Sequence, residues 1–153
     1  MIIILKSPTA DTRTCDFAAV TQEQLFNSSK LHIEDVRQAL RFFADRLETD
    51  VAQRHDPDKL TDIESFHADF VTGFTEHAWW DRHKTLNRHH LAEPDGVPED
   101  VNLLDVLDCV ADCVMSGMAR SGSVYPLVLS PEVLARALDN TVTLLKAQVR
   151  VVD

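Results

Sequence analysis

The chain has 153 residues, of which 44% are hydrophobic and 26% are charged. This composition is typical of a single globular domain and excludes a disordered chain. The 25 acidic residues outnumber the 15 basic ones, giving a net charge of −10, so neither a broad nucleic-acid surface nor an anionic membrane is an expected partner. The longest early apolar run, residues 1–5, is too short for a signal peptide or a membrane span, which predicts a cytoplasmic protein.

Helical periodicity dominates the chain, and capping patterns indicate where helices begin. Thr21 with Gln24 and Thr61 with Glu64 fit capping boxes, and Ser130 precedes a proline as an N-cap residue does. The predicted helices cover about 21–52, 61–70, 79–88, 99–120 and a last segment from 131 onward.

Two short β-branched segments lie at the ends of the sequence, at residues 2–5 and 149–152. We expect them to pair as a two-stranded ribbon that joins the termini. The sequence therefore predicts an all-α fold, in which residues 1–153 form a single domain of five to six helices with this ribbon added.

Three aspartates lie on one face of the strongly apolar helix predicted at 99–120. Asp105, Asp108 and Asp112 are spaced at i, i+3 and i+7. This face is either the one solvated side of the helix or a buried group of carboxylates. Buried carboxylates need arginine, histidine or metal partners, because an unpaired buried charge is strongly destabilising.

Histidines are concentrated in the middle of the chain. Of the 7 in the sequence, all except His32 lie between residues 55 and 90. Imidazole is the commonest metal ligand, and carboxylates complete sites for divalent ions. Each histidine alone is compatible with a structural role, and we assign one to His67 and His77. The density of the set, together with the aspartate helix, favours a metal site.

The order of His32, the pair His55-Asp56 and a late aspartate resembles the H…HD…D signature of the HD-domain metal-dependent phosphohydrolases. Four segments within about residues 29–120 carry the resemblance: SSKLHIEDV, RHDPDKL, HKTLNRHHL and VLDCVADCVMSGM. They are similar to blocks of small HD-related proteins, many of them encoded by bacteriophages. The resemblance implies an HD-domain-like helical fold and, for a phage protein, a location in the host cytoplasm.

The resemblance also implies the ligands of one divalent ion. They are His32, His55, Asp56 and Asp112, with Asp108 as the second choice for the last ligand. The implied cofactor is one divalent ion or two, drawn from Mn, Co, Mg, Fe, Ni and Zn.

The run HDPDK is similar to the HD-GYP branch of these proteins, in which further histidines bind a second metal. On that pattern His83, His89 and His90 complete a two-metal site, and Asp56 bridges the two ions. No GYP triplet follows His90, so specificity for cyclic dinucleotides is not implied.

The implied activity is hydrolysis of a phosphate ester in a nucleotide or related small compound by metal-activated water. The 4 glycines form no phosphate-binding loop, so other groups must bind the phosphate. We expect Lys59 and Arg13 to neutralise the phosphoryl group. Asn87 either orients the substrate or caps a helix. Trp79 and Trp80 are either core residues or a stacking surface for a base.

The sequence leaves two other functions open. Some HD-fold proteins that resemble this arrangement hold two irons and activate oxygen, which makes an oxygenase the first alternative. A binding module that keeps the fold without turnover is the second. A second copy of the chain is an additional candidate partner.

Overall fold

The computed structural model describes residues 1–5, 20–75, 78–92, 96–124 and 126–152, and within them the chain is mostly helical with one small sheet. The all-α class with a strand pair is confirmed. The helices are α1 (Gln22–Arg46), α2 (Asp58–Thr61), α3 (Ile63–Phe70), α4 (Trp79–Leu86), α5 (Leu103–Ser121) and α6 (Pro131–Lys146), and the strands are β1 (Ile2–Leu5) and β2 (Val149–Val152). A π-helical turn (Leu47–Val51) and a 3₁₀ turn (Ala52–Arg54) follow α1. Each described helix is too short or too polar to cross a lipid bilayer.

Two of the predicted helix starts are confirmed by their capping bonds. The backbone N–H of Thr21 donates to Oε1 of Gln24 at 2.9 Å, and the N–H of Gln24 donates to Oγ1 of Thr21 at 3.2 Å. Ser130 Oγ accepts from the N–H of Val133 at 3.2 Å, one residue before α6 begins. These side chains satisfy N–H groups that a first helical turn leaves without partners.

The capping box predicted at Thr61 and Glu64 is wrong. Helix α3 begins at Ile63, and its N-cap Asp62 makes no side-chain capping bond. Thr61 instead ends the short helix α2, where its hydroxyl donates to the carbonyl of Pro57 at 3.1 Å. The sequence pattern misplaced this start because the turn at Pro57 opens a separate helix before it.

The chain divides into two compact units, Met1–Asp45 with Thr143–Asp153 and Arg46–Val142. In the first, β1 and β2 pair in parallel, with Ile2 opposite Val149 and Leu5 opposite Val152. This pairing confirms the predicted ribbon. That residues 1–153 form one domain stays a prediction.

The second unit contains the apolar core and most of the candidate ion-binding residues. The buried core residues are Leu91, Val101, Cys109 and Ala137, and partly buried side chains from α5, α6 and the connecting segments pack against them. Asp69 is completely buried, and its Oδ2 accepts from the N–H of Trp80 at 2.9 Å, which anchors the start of α4.

An aromatic stack fixes the orientation of α4. Phe66 stacks on Trp79 with ring centroids 4.3 Å apart, and Trp79 stacks on His83 at 4.6 Å. Only 2% of Trp79 is exposed, so this tryptophan is a core residue. The stacking of Trp79 on the imidazole of His83 holds that ring in one orientation.

Helix α5 begins later than predicted, at Leu103, because Asn102 and Asp105 form its capping box. The N–H of Asn102 donates to Oδ2 of Asp105 at 2.8 Å, and the N–H of Leu104 donates to Oδ1 of Asn102 at 2.9 Å. The helix ends at Gly122, whose φ of +69° gives the left-handed C-cap that glycine adopts without strain.

Candidate metal centre

His55 and Asp56 lie at the break between the 3₁₀ turn and α2. Asp56 has a φ of +52°, in the left-handed region that few residues other than glycine adopt. Pro57 disfavours the right-handed helical conformation at the residue before it, and the short aspartate side chain tolerates the left-handed one. Only 8% of Asp56 is exposed, so this break carries a nearly buried carboxylate.

Three buried residues and the half-buried His90 place ligand atoms around one point. Oδ1 of Asp56 lies 3.5 Å from Nε2 of His83 and 3.5 Å from Nε2 of His89. His90 completes the set, in which one ligand atom of each residue lies within 4.8 Å of the others. We call these four residues the histidine-rich group.

The ligand atoms of this group are without hydrogen-bond partners. Four atoms among the described residues are buried and neither donate nor accept a hydrogen bond. They are Oδ1 of Asp56 and the Nε2 atoms of His83, His89 and His90. Buried polar atoms are nearly always hydrogen-bonded, because an unpaired one costs about 1–3 kcal/mol. One carboxylate oxygen and three imidazole nitrogens that face one another are a donor set that fits a divalent cation.

A second carboxylate determines which nitrogen of His83 faces this group. Nδ1 of His83 lies 2.8 Å from Oδ2 of Asp58, and Asn87 Nδ2 donates to Oδ1 of Asp58 at 2.9 Å. A carboxylate only accepts, so the hydrogen bond to Asp58 puts a proton on Nδ1 of His83, while Nε2 faces Asp56. The amide of Asn87 also donates to the carbonyl of His83 at 3.0 Å, which fits helix capping, one of the two roles predicted for it.

Burial keeps two of these rings neutral. It lowers the pKa of His89 below the usual value of 6.5. Burial, together with the charges of His89 and His83, lowers the pKa of His90 to about 4. Both rings therefore offer a lone pair at pH 7, which metal ligation requires.

A second group of ligand atoms shares Asp56 with the first. Nε2 of His55 lies 3.6 Å from Oδ2 of Asp56 and 3.8 Å from Oδ1 of Asp112. One ligand atom from each of these three residues lies within 4.8 Å of the other two. We call them the His55 group. Since Asp56 presents one oxygen to each group, it occupies the position expected of a bridging ligand.

Asp108 lies on the other side of the imidazole rings. Its Oδ1 is 2.9 Å from Nδ1 of His55, and its Oδ2 is 3.4 Å from Nδ1 of His89. These three residues form a third set with ligand spacing. Asp112, the first choice for the last ligand, and Asp108, the second, are thus both within reach of His55 but at different nitrogens.

Lys59 contacts Asp56 directly. Its ammonium group pairs with Oδ2, the oxygen that faces His55. Burial alone would raise the pKa of Asp56, but the hydrogen bond and charge of Lys59 and the nearby imidazoles bring it below its usual value. Asp56 is therefore an ionised carboxylate at neutral pH.

The aspartate face of α5 is buried at its first member. Asp105 is 5% exposed and accepts from Nε and Nη2 of Arg88 at 2.8 and 2.9 Å. The side chains of Asp108 and Asp112 are 15% and 34% exposed. The solvated-face interpretation is therefore wrong for Asp105, while Asp108 and Asp112 are half-buried.

Several predicted residues are not part of these groups. His32 lies on α1 in the first unit and belongs to none of them, so its role as a ligand stays a prediction. Arg13 and His77 lie outside the described residues, and His67 lies on α3. Asp58 was not predicted, and its only sequence signal is its place in the HDPDK run.

A pocket of about 240 Å³ adjoins the cluster. It brings together two ring ligands, one carboxylate of the His55 group, a lysine and an apolar wall. The lining residues are Trp80, Lys84, His89, His90, Leu91, Ala92, Cys109, Asp112, Cys113, Ser116 and Leu127. Lys84 was not predicted, and its only sequence signal is its position next to His83.

Comparison with protein-family models, with curated proteins and with solved structures finds no match to this chain. The likeness to HD-domain proteins therefore stays a prediction that rests on the four sequence segments.

Proposed function

We propose that the chain is a metal-dependent phosphohydrolase of the HD superfamily, which cleaves a phosphate ester of a nucleotide or a related small compound. One observation carries the proposal: four buried ligand atoms without hydrogen-bond partners face one another beside a pocket. A purely structural cluster would pair these atoms with one another or with neighbouring donors.

The donor sets fit divalent cations. The histidine-rich group would hold one ion, and the His55 group would hold a second, with Asp56 between them. Divalent ions at such positions lower the pKa of water and stabilise the charge on phosphoryl oxygens. The proposed reaction adds water across the ester: the water oxygen bonds to phosphorus, and the ester oxygen leaves with a proton.

The charges of the second unit explain why cations are needed for an anionic substrate. Asp56, Asp58, Asp108 and Asp112 surround the cluster, and the nearby ammonium groups are those of Lys59 and Lys84. Lys59 pairs with Asp56, and Lys84, which pairs with the exposed Asp81, lines the pocket itself with 21% of its side chain exposed. We therefore add Lys84 to the predicted Lys59 and Arg13 as a group that contacts the phosphoryl oxygens.

The pocket favours a small substrate. Its volume of about 240 Å³ lies below the roughly 300–1,000 Å³ of typical ligand pockets. Trp80, Leu91 and Leu127 would contact the organic part of the ester, while Lys84 and Asp112 lie at the polar side. A long polyanion does not fit these dimensions.

The nitrogen-rich donor set also suits iron, which favours a di-iron oxygenase as the second candidate. Anaerobically purified protein would then carry redox-active iron and consume oxygen. A binding module without turnover is the outcome if cations bind but neither reaction occurs.

The test starts from chelated protein to which Mn, Co, Mg, Fe, Ni or Zn is returned separately. At about 100 times its Kd, a bound ion stabilises the fold by roughly 2.7 kcal/mol and raises Tm by roughly 5–10 °C. We expect phosphate release from a panel of nucleotides and small phosphate esters with at least one ion.

Two variants locate the activity. Asp56→Asn should remove phosphate release and the rise in Tm, because Asp56 serves both groups. The matched control is His67→Gln, since His67 belongs to none of the groups. If none of the six ions changes Tm or supports phosphate release in the wild type, the proposed function is wrong.

A further inference from the structure

Asp108 contacts two histidines that belong to different donor groups. Its Oδ1 lies 2.9 Å from Nδ1 of His55, and its Oδ2 lies 3.4 Å from Nδ1 of His89. The two rings are neighbours, with centroids 4.6 Å apart and planes tilted by 32°. One carboxylate thus contacts two neighbouring imidazoles, with one oxygen for each ring.

The opposite nitrogen of each ring faces Asp56. Nε2 of His55 lies 3.6 Å from Oδ2 of Asp56, and Nε2 of His89 lies 3.5 Å from Oδ1. The pair of rings is therefore held between two carboxylates. Asp56, with the other ligands, lies on the Nε2 side, and Asp108 lies on the Nδ1 side.

The chemistry of the two sides is different. A neutral imidazole carries one N–H, and an ionised carboxylate can only accept. For His55, the Nδ1 contact with Asp108 is within hydrogen-bond distance at 2.9 Å, whereas its Nε2 lies 3.6 and 3.8 Å from the oxygens of Asp56 and Asp112. For His89, Nδ1 lies 3.4 Å from Asp108, and Nε2 has no hydrogen-bond partner among the described residues. The arrangement that satisfies Asp108 puts a proton on Nδ1 of both rings and leaves both Nε2 lone pairs for cations.

We propose that Asp108 is a positioning residue rather than a metal ligand, and that it orients one histidine of each donor group at the same time. This inference rests on the proposed function only in assigning cations to the Nε2 side. Carboxylates that accept from the far nitrogen of a ligating histidine fix its tautomer and its orientation, and their loss typically weakens metal binding about 10–100-fold. Here one side chain does so for both groups.

The first test needs no metal. Long-range ¹H–¹⁵N spectra of the chelated wild type at pH 8, assigned with His55→Gln and His89→Gln, report which nitrogen of each ring is protonated. We expect both rings as the Nδ1–H tautomer. The Nε2–H tautomer at both rings in the wild type would overturn the proposal, whether or not the protein binds ions.

The second test compares the tautomers of both rings in Asp108→Asn with those in the wild type. The amide oxygen of the new asparagine can accept from only one ring, so at least one of the two rings should change or average its tautomer. The matched control is Asp112→Asn, which removes a carboxylate from the same helix and contacts only the Nε2 side of His55. It should leave both tautomers unchanged. Unchanged tautomers in Asp108→Asn would contradict the assignment.

Cobalt titration distinguishes positioning from ligation. Asp108→Asn should weaken both binding events about 10-fold or more, while the absorption spectrum at saturation keeps the wild-type shape because no ligand is lost. Asp112→Asn should weaken one event and change the spectrum. Weakening of a single event with an altered spectrum in Asp108→Asn would make Asp108 a ligand and overturn the proposal.

Discussion

At the scale of single residues, the candidate centre depends on side chains that lie outside the donor groups and orient their histidines. Asp58 is the clearest of them, because it accepts from His83 with one oxygen and from Asn87 with the other. Its net pKa is below the usual value: burial alone would raise it, and the hydrogen bonds of Asn87 and His83 lower it. The carboxylate of Asp58 is thus ionised at neutral pH, and each of its two oxygens accepts a hydrogen bond.

Asp58→Asn should weaken cation binding by the histidine-rich group about 10–100-fold. Whichever way the new amide turns, it presents a donor either to Nδ1 of His83 or to the amide of Asn87, so one of the two bonds is lost. Isothermal titration with Mn or Co measures the change.

Asp62→Asn is the matched control for this substitution. Asp62 pairs with Arg82 and contacts no histidine, so cation affinity should remain that of the wild type. Equal affinities for the Asp58 and Asp62 variants would show that Asp58 does not determine the tautomer of His83.

The residues of the histidine-rich group could be predicted from the sequence, whereas their supporting contacts could not. Histidine density and the resemblance identified Asp56, His83, His89 and His90, since metal chemistry restricts which residue types serve. The contact between Asp58 and His83 joins residues that are 25 positions apart and depends on the break at Pro57. Periodicity contains no information about such a contact.

At the scale of elements, Asp105 makes two different kinds of contact at the start of α5. Asp105 caps the helix through the N–H of Asn102 and also holds Arg88 through two of its guanidinium nitrogens. The bonds to Asp105, followed by those to Asp100, raise the pKa of Arg88. Arg88 precedes His89 and His90 directly, so this contact ties their segment to α5.

Asp105→Asn should lower the free energy of unfolding by about 2 kcal/mol, because hydrogen bonds to a charged group contribute roughly 1.5–3 kcal/mol and a helix cap roughly 1. Cation affinity should fall with it, since His89 and His90 lose their tether. Urea unfolding and titration with Mn measure the two effects.

Asp100→Asn tests whether the buried bonds matter. Asp100 also binds Arg88, but its side chain is 80% exposed, and exposed ion pairs contribute about 0–1 kcal/mol. A loss of stability as large as that of Asp105→Asn would mean that the capping box is unimportant.

Helix boundaries show what local patterns predict. The caps at Thr21 and Ser130 depend on residues within three positions, and these starts are confirmed. The predicted start of α5 failed, because the cap lies at Asn102 and not directly after the turn that ends at Pro98. The apolar pattern indicates that a helix is present, but it does not fix the residue at which the helix begins.

At the scale of the whole molecule, charge determines how the chain responds to protons and cations. The net charge is −10, and the carboxylates of the candidate centre add a local negative field. Burial meanwhile keeps His89 and His90 neutral, since the pKa of each is lowered. Without a cation, these rings bind protons less readily in the folded chain than in the unfolded one.

The chelated protein should therefore lose stability as the pH falls from about 6.5 to about 4, the unfolded and folded pKa values of His90. In this window the unfolded chain binds more protons than the folded chain, so the free energy of unfolding decreases with decreasing pH. Asp56 and Asp58, whose pKa values are lowered from 3.8, add a further loss below that range.

Thermal unfolding at half-unit steps of pH measures the slope of Tm against pH. His90→Gln should flatten this slope between pH 6.5 and 4, while the control His67→Gln should keep it. A Tm that is constant across this window in the wild type would mean that the buried rings do not resist protonation.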